Sequence, residues 1–281
     1  MRTLFTAAAA AALLGAAPQP RADLLVSTTW LVSNLKTPGL VVLNAAGTRA
    51  PYDAGHIPGA RLLLMDQIIA TRPDGTRGLP PAQVLKSVFE RLGVSNSTRV
   101  VLYGEPLAAS RAFFTLDYLG HRKTAILDGG IEKWRAEGLP VTTAVPAVEP
   151  AVFNITPRPW LVVTFDEAKQ LSQAAQDPAS GVVVIDSRSF PAWRAGHIPG
   201  SKNVFWADEL DGIGYQTLKP AAELQKMYGL DSPKTVVTYC NTGMQATFGY
   251  FTLRYLGYTG VRLYEGSFSE WSRHPEVLIQ H

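Results

Sequence analysis

The chain has 281 residues, of which 46% are hydrophobic, 17% charged and 10% aromatic, so it is long enough for two globular domains of ordinary composition. Its 26 basic and 23 acidic residues give a formal net charge of +3 and are scattered without long runs. Because no stripe of Lys and Arg is present, we expect no nucleic-acid partner.

The N-terminal segment differs in composition from the rest of the chain. Arg2 precedes an apolar run from Leu4 to about Ala17, followed by small residues and prolines. This pattern is typical of a secretory signal peptide over residues 1–22, with a disordered or helical extension as the alternative. The run is too short for a membrane span of about 20 residues, so we expect no membrane association after its removal. The predicted location is periplasmic or secreted, with cleavage after Ala17 or Ala22.

A long internal repeat organises the remainder. The segment YDAGHIPGA (52–60) recurs as WRAGHIPGS (193–201), and VVLYG (100–104) recurs as VVTYC (236–240). Two further pairs, FTLDYLG with FTLRYLG and LDGGIEKW with YEGSFSEW, follow in the same order. The chain is therefore a tandem duplication. We predict domains at 23–142 and 160–281, joined by a proline-rich, extended linker at 143–159.

Within each copy, β-branched runs alternate with helix-like segments. This alternation predicts two α/β domains, each a mostly parallel sheet flanked by helices. In the second copy the helix signals are Thr164 or Asp166 as an N-cap, Pro220 at a helix start and Gly257 after a helix end. The predicted strands are 182–186, 235–239 and 261–264, and the predicted helices are 166–175, 220–228 and 246–256.

Cys240 is the only cysteine, so the chain cannot form an internal disulfide. A lone cysteine can simply be a small buried packing residue. Here, however, it follows a predicted strand and precedes a predicted helix, and the carboxyl ends of parallel strands face the ligand crevice. A helix N-terminus stabilises a thiolate, so we expect a depressed pKa and nucleophilic character. Gly243 allows the loop to curl so that its N–H groups converge on the sulfur.

These segments resemble one known superfamily. LVSTTWL (25–31), both GHIPG segments, DSR (186–188), the Cys-x-x-Gly-x-Gln loop (240–245) and EGSFSEW (265–271) together resemble the two-domain thiosulfate and 3-mercaptopyruvate sulfurtransferases of the rhodanese superfamily. The resemblance implies a catalytic C-terminal copy and an inactive N-terminal copy. In agreement, Gly104 stands at the cysteine position in a loop one residue shorter, and Asn44 and Ala46 replace Asp186 and Arg188.

The resemblance also implies a mechanism and a set of site residues. The Cys240 thiolate would accept sulfur from a small-molecule donor as a persulfide and pass it to a small-molecule acceptor, with no metal or organic cofactor. Arg188 would bind an anionic donor or pair with Asp186. Arg194 stands where related enzymes often carry a substrate-binding arginine. The predicted persulfide-binding loop consists of Asn241, Thr242, Gly243, Met244 and Gln245.

Other repeated residues have structural interpretations. His197 and its counterpart His56 occur in both copies, including the one without a cysteine, which favours a structural role near the site. Trp271 and Trp134 are repeated in the same way and are predicted core residues.

The donor, the acceptor and the oligomeric state stay open. Asn241 and Thr242 match neither the basic residues of thiosulfate-using relatives nor the Gly-Ser of mercaptopyruvate-using relatives, and Gln245 stands where Thr or Arg is usual. A cysteine phosphatase requires Arg where this chain has Ala246, which argues against that enzyme. A non-catalytic sulfur carrier, sensor or partner-binding module is the remaining alternative.

Overall fold

A computed structural model describes residues 18–231 and 233–281 of the chain. Residues 1–17, which carry most of the predicted signal peptide, lie outside the described part. Among the helices that are described, none is both long and apolar enough to cross a membrane.

The first domain is built on a five-stranded parallel sheet. The strands of the whole domain, including a separate hairpin, are β1 (Leu25–Val26), β2 (Leu40–Ala46), β3 (Arg61–Leu64), β4 (Ala70–Thr71), β5 (Arg77–Gly78), β6 (Arg99–Gly104) and β7 (Thr124–Leu127). Its helices are α1 (Thr28–Asn34), α2 (Ala50–Asp53), α3 (Ala82–Arg91), α4 (Pro106–Tyr118) and α5 (Gly130–Ala136). The sheet order is β1-β7-β6-β2-β3, and β4 and β5 form a separate antiparallel hairpin.

The second domain repeats this arrangement with a four-stranded parallel sheet. The strands of the whole domain, including its hairpin, are β8 (Val182–Asp186), β9 (Ser201–Asn203), β10 (Leu210–Asp211), β11 (Thr217–Leu218), β12 (Thr235–Tyr239) and β13 (Val261–Leu263). Its helices are α6 (Phe165–Ala174), α7 (Phe190–Ala195), α8 (Ala221–Tyr228), α9 (Met244–Tyr255) and α10 (Ser267–Trp271). The sheet order is β13-β12-β8-β9, and β10 and β11 form the second hairpin. The predicted pair of α/β domains is confirmed.

The predicted elements of the second copy agree with the structure within two residues. The first two predicted strands coincide with β8 and β12, and the third ends at Leu263 rather than at residue 264. Thr164 rather than Asp166 caps α6, because its Oγ accepts the Glu167 N–H at 3.3 Å. Helix α9 begins at Met244 rather than at 246, since Gly243 with φ 86° takes the N-cap position.

The two domains pack through α4 and α9 about a local pseudo-two-fold axis. The repeat makes Ser110 equivalent to Thr247, and these two hydroxyls meet at 3.0 Å. On either side lie equivalent aromatic contacts with centroids 5.0 Å apart, Phe113 with Phe251 and Phe114 with Tyr250. One hydrophobic core runs through this interface from the first sheet to the second. The duplicated domains therefore share a core.

The linker is extended but fixed to the first domain. Residues 143–158, all of which are described, contain no helix and no strand. Phe153 is fully buried, its N–H donates to the Glu90 carboxylate at 2.9 Å, and the Thr156 N–H donates to the Leu119 carbonyl at 2.9 Å. The segment therefore packs against the surface of the first domain.

Candidate active site

Cys240 lies directly after β12, a central strand of the second sheet. The run TVVTY is buried on both faces, so the strand ends with its carboxyl edge beneath the turn into α9. Cys240 itself is 1% exposed. The predicted location of the thiol at the carboxyl edge of the sheet is confirmed.

Backbone N–H groups of the following turn surround the sulfur. The Gly243 N–H donates to Cys240 Sγ at 3.1 Å, and the N–H groups of Thr242, Gln245 and Ala246 also favour the charged thiolate. Gly243 is required here, because a Cβ at this residue would stand 2.9 Å from the Glu265 carbonyl oxygen and φ is 86°. The sequence predicts a loop that ends at residue 245. Because the helix begins at Met244, the N–H of Ala246 belongs to the first helical turn and also points to the sulfur, which the sequence does not predict.

Burial opposes these donors. The pKa of the Cys240 thiol is raised above its ordinary value, because loss of hydration outweighs the four N–H groups. The depressed pKa predicted from the sequence is therefore wrong for the free protein. The helix N-terminus alone would lower this pKa, whereas burial of the sulfur raises it more. The same N–H groups remain placed to stabilise an anion on or beside the sulfur.

The other loop residues differ in exposure and contact. Asn241 is exposed, whereas Thr242, Met244 and Gln245 are partly buried. The Asn241 carbonyl accepts the Ser269 N–H at 3.0 Å, and the Met244 carbonyl accepts the Thr247 hydroxyl at 2.7 Å. The accessible part of the loop thus includes the thioether of Met244 as well as the amide and hydroxyl side chains of Asn241, Thr242 and Gln245.

Ser267 is a site residue that the sequence analysis missed. Its hydroxyl accepts the Cys240 N–H at 3.2 Å and donates to the Tyr264 carbonyl at 2.8 Å. Among the described residues it is the one non-glycine residue with positive φ, 54°. Its counterpart in the first copy, Gly130, has φ 57°. In the sequence, Gly-Gly at 129–130 of the first copy is replaced by Gly-Ser at 266–267 of the second. This difference between the repeats is the signal that could have identified Ser267.

Glu265 was also missed. Its carboxylate is 2% exposed, forms an ion pair with Arg111 at an Nη2–Oε1 distance of 2.8 Å, and accepts a hydrogen bond from Arg72 Nη2 at 3.0 Å. Both arginines belong to the first domain. The Leu79 N–H donates to the same carboxylate at 3.2 Å. Because the Glu265 backbone packs on Gly243, the first domain anchors the segment that supports the cysteine loop.

Arg188 takes the second of its two predicted roles. Its Nε and Nη2 donate to the Asp186 carboxylate at 3.0 and 2.6 Å, and Nη2 also donates to the Gly196 carbonyl at 2.8 Å. The guanidinium carbon lies 4.1 Å from the Phe268 ring centroid. This buried pair connects the end of β8 to α10, beside the cysteine loop.

Arg194 and His197 differ in position and in exposure. Arg194 lies in the last turn of α7 and is exposed, whereas His197 follows the helix. His197 is buried, with Nδ1 3.0 Å from the Trp193 carbonyl and its ring stacked on Trp193. His56 repeats this geometry on Tyr52. Both histidines therefore stabilise the turn that follows the short helix. The two tryptophans predicted to lie in the core, Trp134 and Trp271, are also buried.

The corresponding turn of the first domain cannot hold a thiol. A Cβ at Gly104 would collide with the Ala45 carbonyl oxygen, and φ is 136°. Asn44 stands at the Asp186 position and is buried. The absence of a cysteine from this turn, on which the expected inactivity of the first copy rests, thus has a steric cause.

A thiol with converging N–H donors, at the strand end of a duplicated α/β fold and without the phosphatase arginine, defines a sulfurtransferase. The rhodanese-like domain family matches residues 27–137 and 164–274. The chain belongs to this family.

Similar proteins cover nearly the whole chain. The sulfur carrier protein TtuD of Thermus thermophilus is 33% identical over 92% of this chain and 96% of its own. Thiosulfate/3-mercaptopyruvate sulfurtransferase 1, mitochondrial, of Arabidopsis thaliana is 31% identical over 91% and 78%. The crystal structure of SseA from Escherichia coli, described among 3-mercaptopyruvate sulfotransferases, superposes with a TM-score of 0.76 at 26% identity, covering 87% and 98%.

Proposed function

We propose that this sulfurtransferase moves a sulfane sulfur from a small-molecule donor to a thiophilic acceptor through a persulfide on Cys240. The observation that carries the proposal is the set of N–H groups around Cys240 Sγ. Such a set stabilises the negative charge that a persulfide terminus carries. The names of the Arabidopsis and Escherichia coli proteins support the same chemistry.

The proposed reaction has two displacements. In the first, the Cys240 thiolate forms a bond to the terminal sulfur of the donor, and the bond joining that sulfur to the rest of the donor breaks. The donor leaves with the electron pair, as sulfite from thiosulfate or as pyruvate enolate, which is then protonated, from 3-mercaptopyruvate. In the second, cyanide or a thiolate attacks the outer sulfur, and the Cys240 thiolate leaves.

Neither donor is selected by an ion pair in the loop itself. Asn241, Thr242 and Gln245 offer hydrogen bonds without charge, and Arg194 is an exposed cation on a neighbouring turn. We therefore propose both thiosulfate and 3-mercaptopyruvate as candidate donors, with Thr242 and Gln245 orienting the anionic end. Comparing kcat/KM for the two donors in Thr242→Ala and Gln245→Ala tests this assignment.

Mass spectrometry provides the direct test of the persulfide. After incubation of the purified protein with thiosulfate or 3-mercaptopyruvate, we expect one added sulfur on the peptide that contains Cys240, removed by cyanide with formation of thiocyanate. Cys240→Ser should fold normally and should show neither result. Sulfur transfer by the serine variant, or no added sulfur on the native protein with either donor, would reject the proposal.

A sulfur carrier is the second candidate function. The name of the Thermus thermophilus relative favours it. A carrier would take one sulfur on Cys240 and hand it to a protein thiol, with slow turnover to cyanide. Single-turnover loading followed by transfer to cyanide and to a protein thiol acceptor distinguishes an enzyme from a carrier.

We further propose export through the N-terminal segment, with cleavage after Ala17. Residues just beyond this point contact the second domain: the Arg21 N–H donates to the Tyr255 carbonyl at 2.7 Å, and the Pro18 carbonyl accepts Gln225 Nε2 at 3.0 Å. Cleavage after Ala22 would remove both contacts. The intact mass of the protein from a periplasmic or culture fraction distinguishes cleavage after Ala17, cleavage after Ala22 and no cleavage.

A further inference from the structure

A cavity of about 420 Å³ lies in the first domain, at the carboxyl edge of its sheet. Its floor includes the ends of β6 and β7, and Gly104 occupies the place that Cys240 takes in the second domain. No residue of the 240–245 loop lines it. The inactive copy has therefore kept a pocket at the position of the active site, and that pocket is separate from Cys240.

The second domain forms one side of this cavity. The hairpin β10–β11 contributes Leu210, Tyr215 and Leu218, and α9 contributes the apolar side chains of Phe248 and Phe251. The Leu218 N–H donates to the Asp128 carboxylate at 2.9 Å and ties the hairpin to the cavity wall. Ligand sites are typically cavities of about 300–1,000 Å³ between domains, lined mostly by apolar groups with a few polar ones. The size and position of this cavity match that description.

The charged side chains that line the cavity are all acidic. They are Glu105, Asp128 and Glu132, and none of the lining residues is Lys, Arg or His. Lys133 stands nearby, with Nζ 5.9 Å from the Tyr215 ring centroid. Burial raises the pKa of Asp128, and the Leu218 N–H and the charge of Lys133 oppose this effect. With one lysine close to three carboxylates, the wall stays net negative.

The cavity has also lost the features that hold an anion in the other domain. Pro106, at the start of α4, has no N–H to donate, and Glu105 places a carboxylate at the turn. Glu105 and Glu132 lie at the N-termini of α4 and α5, where each offsets the positive end of its helix. An anionic sulfur donor is therefore disfavoured here.

We propose that this cavity binds a small organic amine, with its apolar body against Phe248, Phe251 and Ile126 and its ammonium group toward Asp128, Glu105 and Glu132. Carboxylates attract the cation and accept hydrogen bonds from its N–H groups. The site is independent of sulfur transfer at Cys240, so either proposal can fail without the other.

Three compounds of the same shape and different charge test the proposal: 2-phenylethylamine, 2-phenylethanol and phenylacetate. Calorimetry on the full chain at neutral pH should show the amine binding at least tenfold more tightly than the alcohol, with no measurable binding of phenylacetate. The paired substitution Glu105→Gln and Glu132→Gln should weaken the amine at least tenfold and leave the alcohol unchanged. Glu223→Gln, which removes an exposed carboxylate on α8, is the matched control and should leave all affinities unchanged.

Any one of three results would reject the proposal. These are equal affinity for the amine and the alcohol, no detectable binding of the amine, and amine binding that the paired substitution leaves unchanged. Because both glutamates are exposed, the paired variant is expected to fold. Sulfur loading of Cys240, measured in the same preparation, should equal that of the native protein and confirms that the second domain is intact.

Discussion

Arg111 of the first domain and Glu265 of the second form an ion pair of 2.8 Å in which the side chains are 3% and 2% exposed. Glu265 also contacts Arg72, and its backbone lies against Gly243 in the cysteine turn. The first domain thus supplies two cations that fix a residue beside the Cys240 turn. This contact gives a physical reason for the activity proposed for the second domain to depend on the first.

Arg111→Met should weaken both stability and sulfur transfer. The substitution leaves the Glu265 carboxylate buried with one cation fewer, and breaking a buried pair typically costs about 3–5 kcal/mol. Urea unfolding and persulfide loading measure the two effects. Arg49→Met is the control, because its pair with Asp53 is exposed and should contribute at most about 1 kcal/mol. Equal effects of the two substitutions would contradict the proposed anchoring role.

Gly243→Ala should impair sulfur loading beyond any cost of its backbone conformation. Gly243 and Gly214 have nearly equal φ values of 86° and 85°, but only at Gly243 would a Cβ approach another atom, the Glu265 carbonyl oxygen at 2.9 Å. Both alanine variants should lose about 1 kcal/mol of stability from strain. We expect at least a tenfold slower loading in Gly243→Ala and unchanged loading in Gly214→Ala. Similar loading rates in both would show that the close contact is unimportant.

Ser267→Ala and Ser267→Gly separate a hydroxyl from a strained backbone. Both lose the hydrogen bond to the Cys240 N–H, whereas only the alanine variant keeps a Cβ at φ 54°. We expect Ser267→Gly to be more stable than Ser267→Ala by about 1 kcal/mol in chemical denaturation, and both to load sulfur more slowly than the native protein. An alanine variant as active as the native protein would remove Ser267 from the site.

Sequence patterns predicted the duplication, the strands β8 and β12, Cys240 and Gly243, because repeats, β-branched runs and turn glycines are local signals. They did not predict the roles of Glu265, Arg111 or Ser267. Those roles arise from contacts between segments far apart in the chain. The pKa of Cys240 illustrates the same limit: the helix N-terminus can be inferred from neighbouring residues, whereas burial depends on the packing of the whole domain.

Gly104→Cys should fail to make the first domain active. The new side chain would meet the Ala45 carbonyl oxygen of the adjacent strand, so the backbone must move before any thiol is presented. We expect a loss of stability above about 1 kcal/mol and no sulfur on residue 104 after incubation with a donor. Gly47→Ala, where a Cβ meets nothing within 4 Å, is the control and should be neutral within about 0.5 kcal/mol. A persulfide on residue 104 would contradict the steric argument.

Glu209 should make the protein less stable as the pH rises. It is fully buried in the second domain, with its carboxyl group accepting the Tyr228 hydroxyl at 3.0 Å, and burial raises its pKa from 4.5 to about 8. The folded state therefore holds a proton that the unfolded state releases, so this contribution is complete below pH 4.5 and is lost as the pH approaches 8.

At 1.36 kcal/mol per pKa unit, the loss amounts to roughly 4 kcal/mol at pH 8. Glu209→Gln keeps the shape and removes the titration. The free energy of unfolding, measured in urea from pH 5 to pH 8, should therefore fall more steeply in the native protein than in the glutamine variant. Glu223→Gln, which removes an exposed carboxylate, should retain the native slope. Parallel slopes for native protein and Glu209→Gln would show that Glu209 is already ionised in the folded state, with its charge compensated.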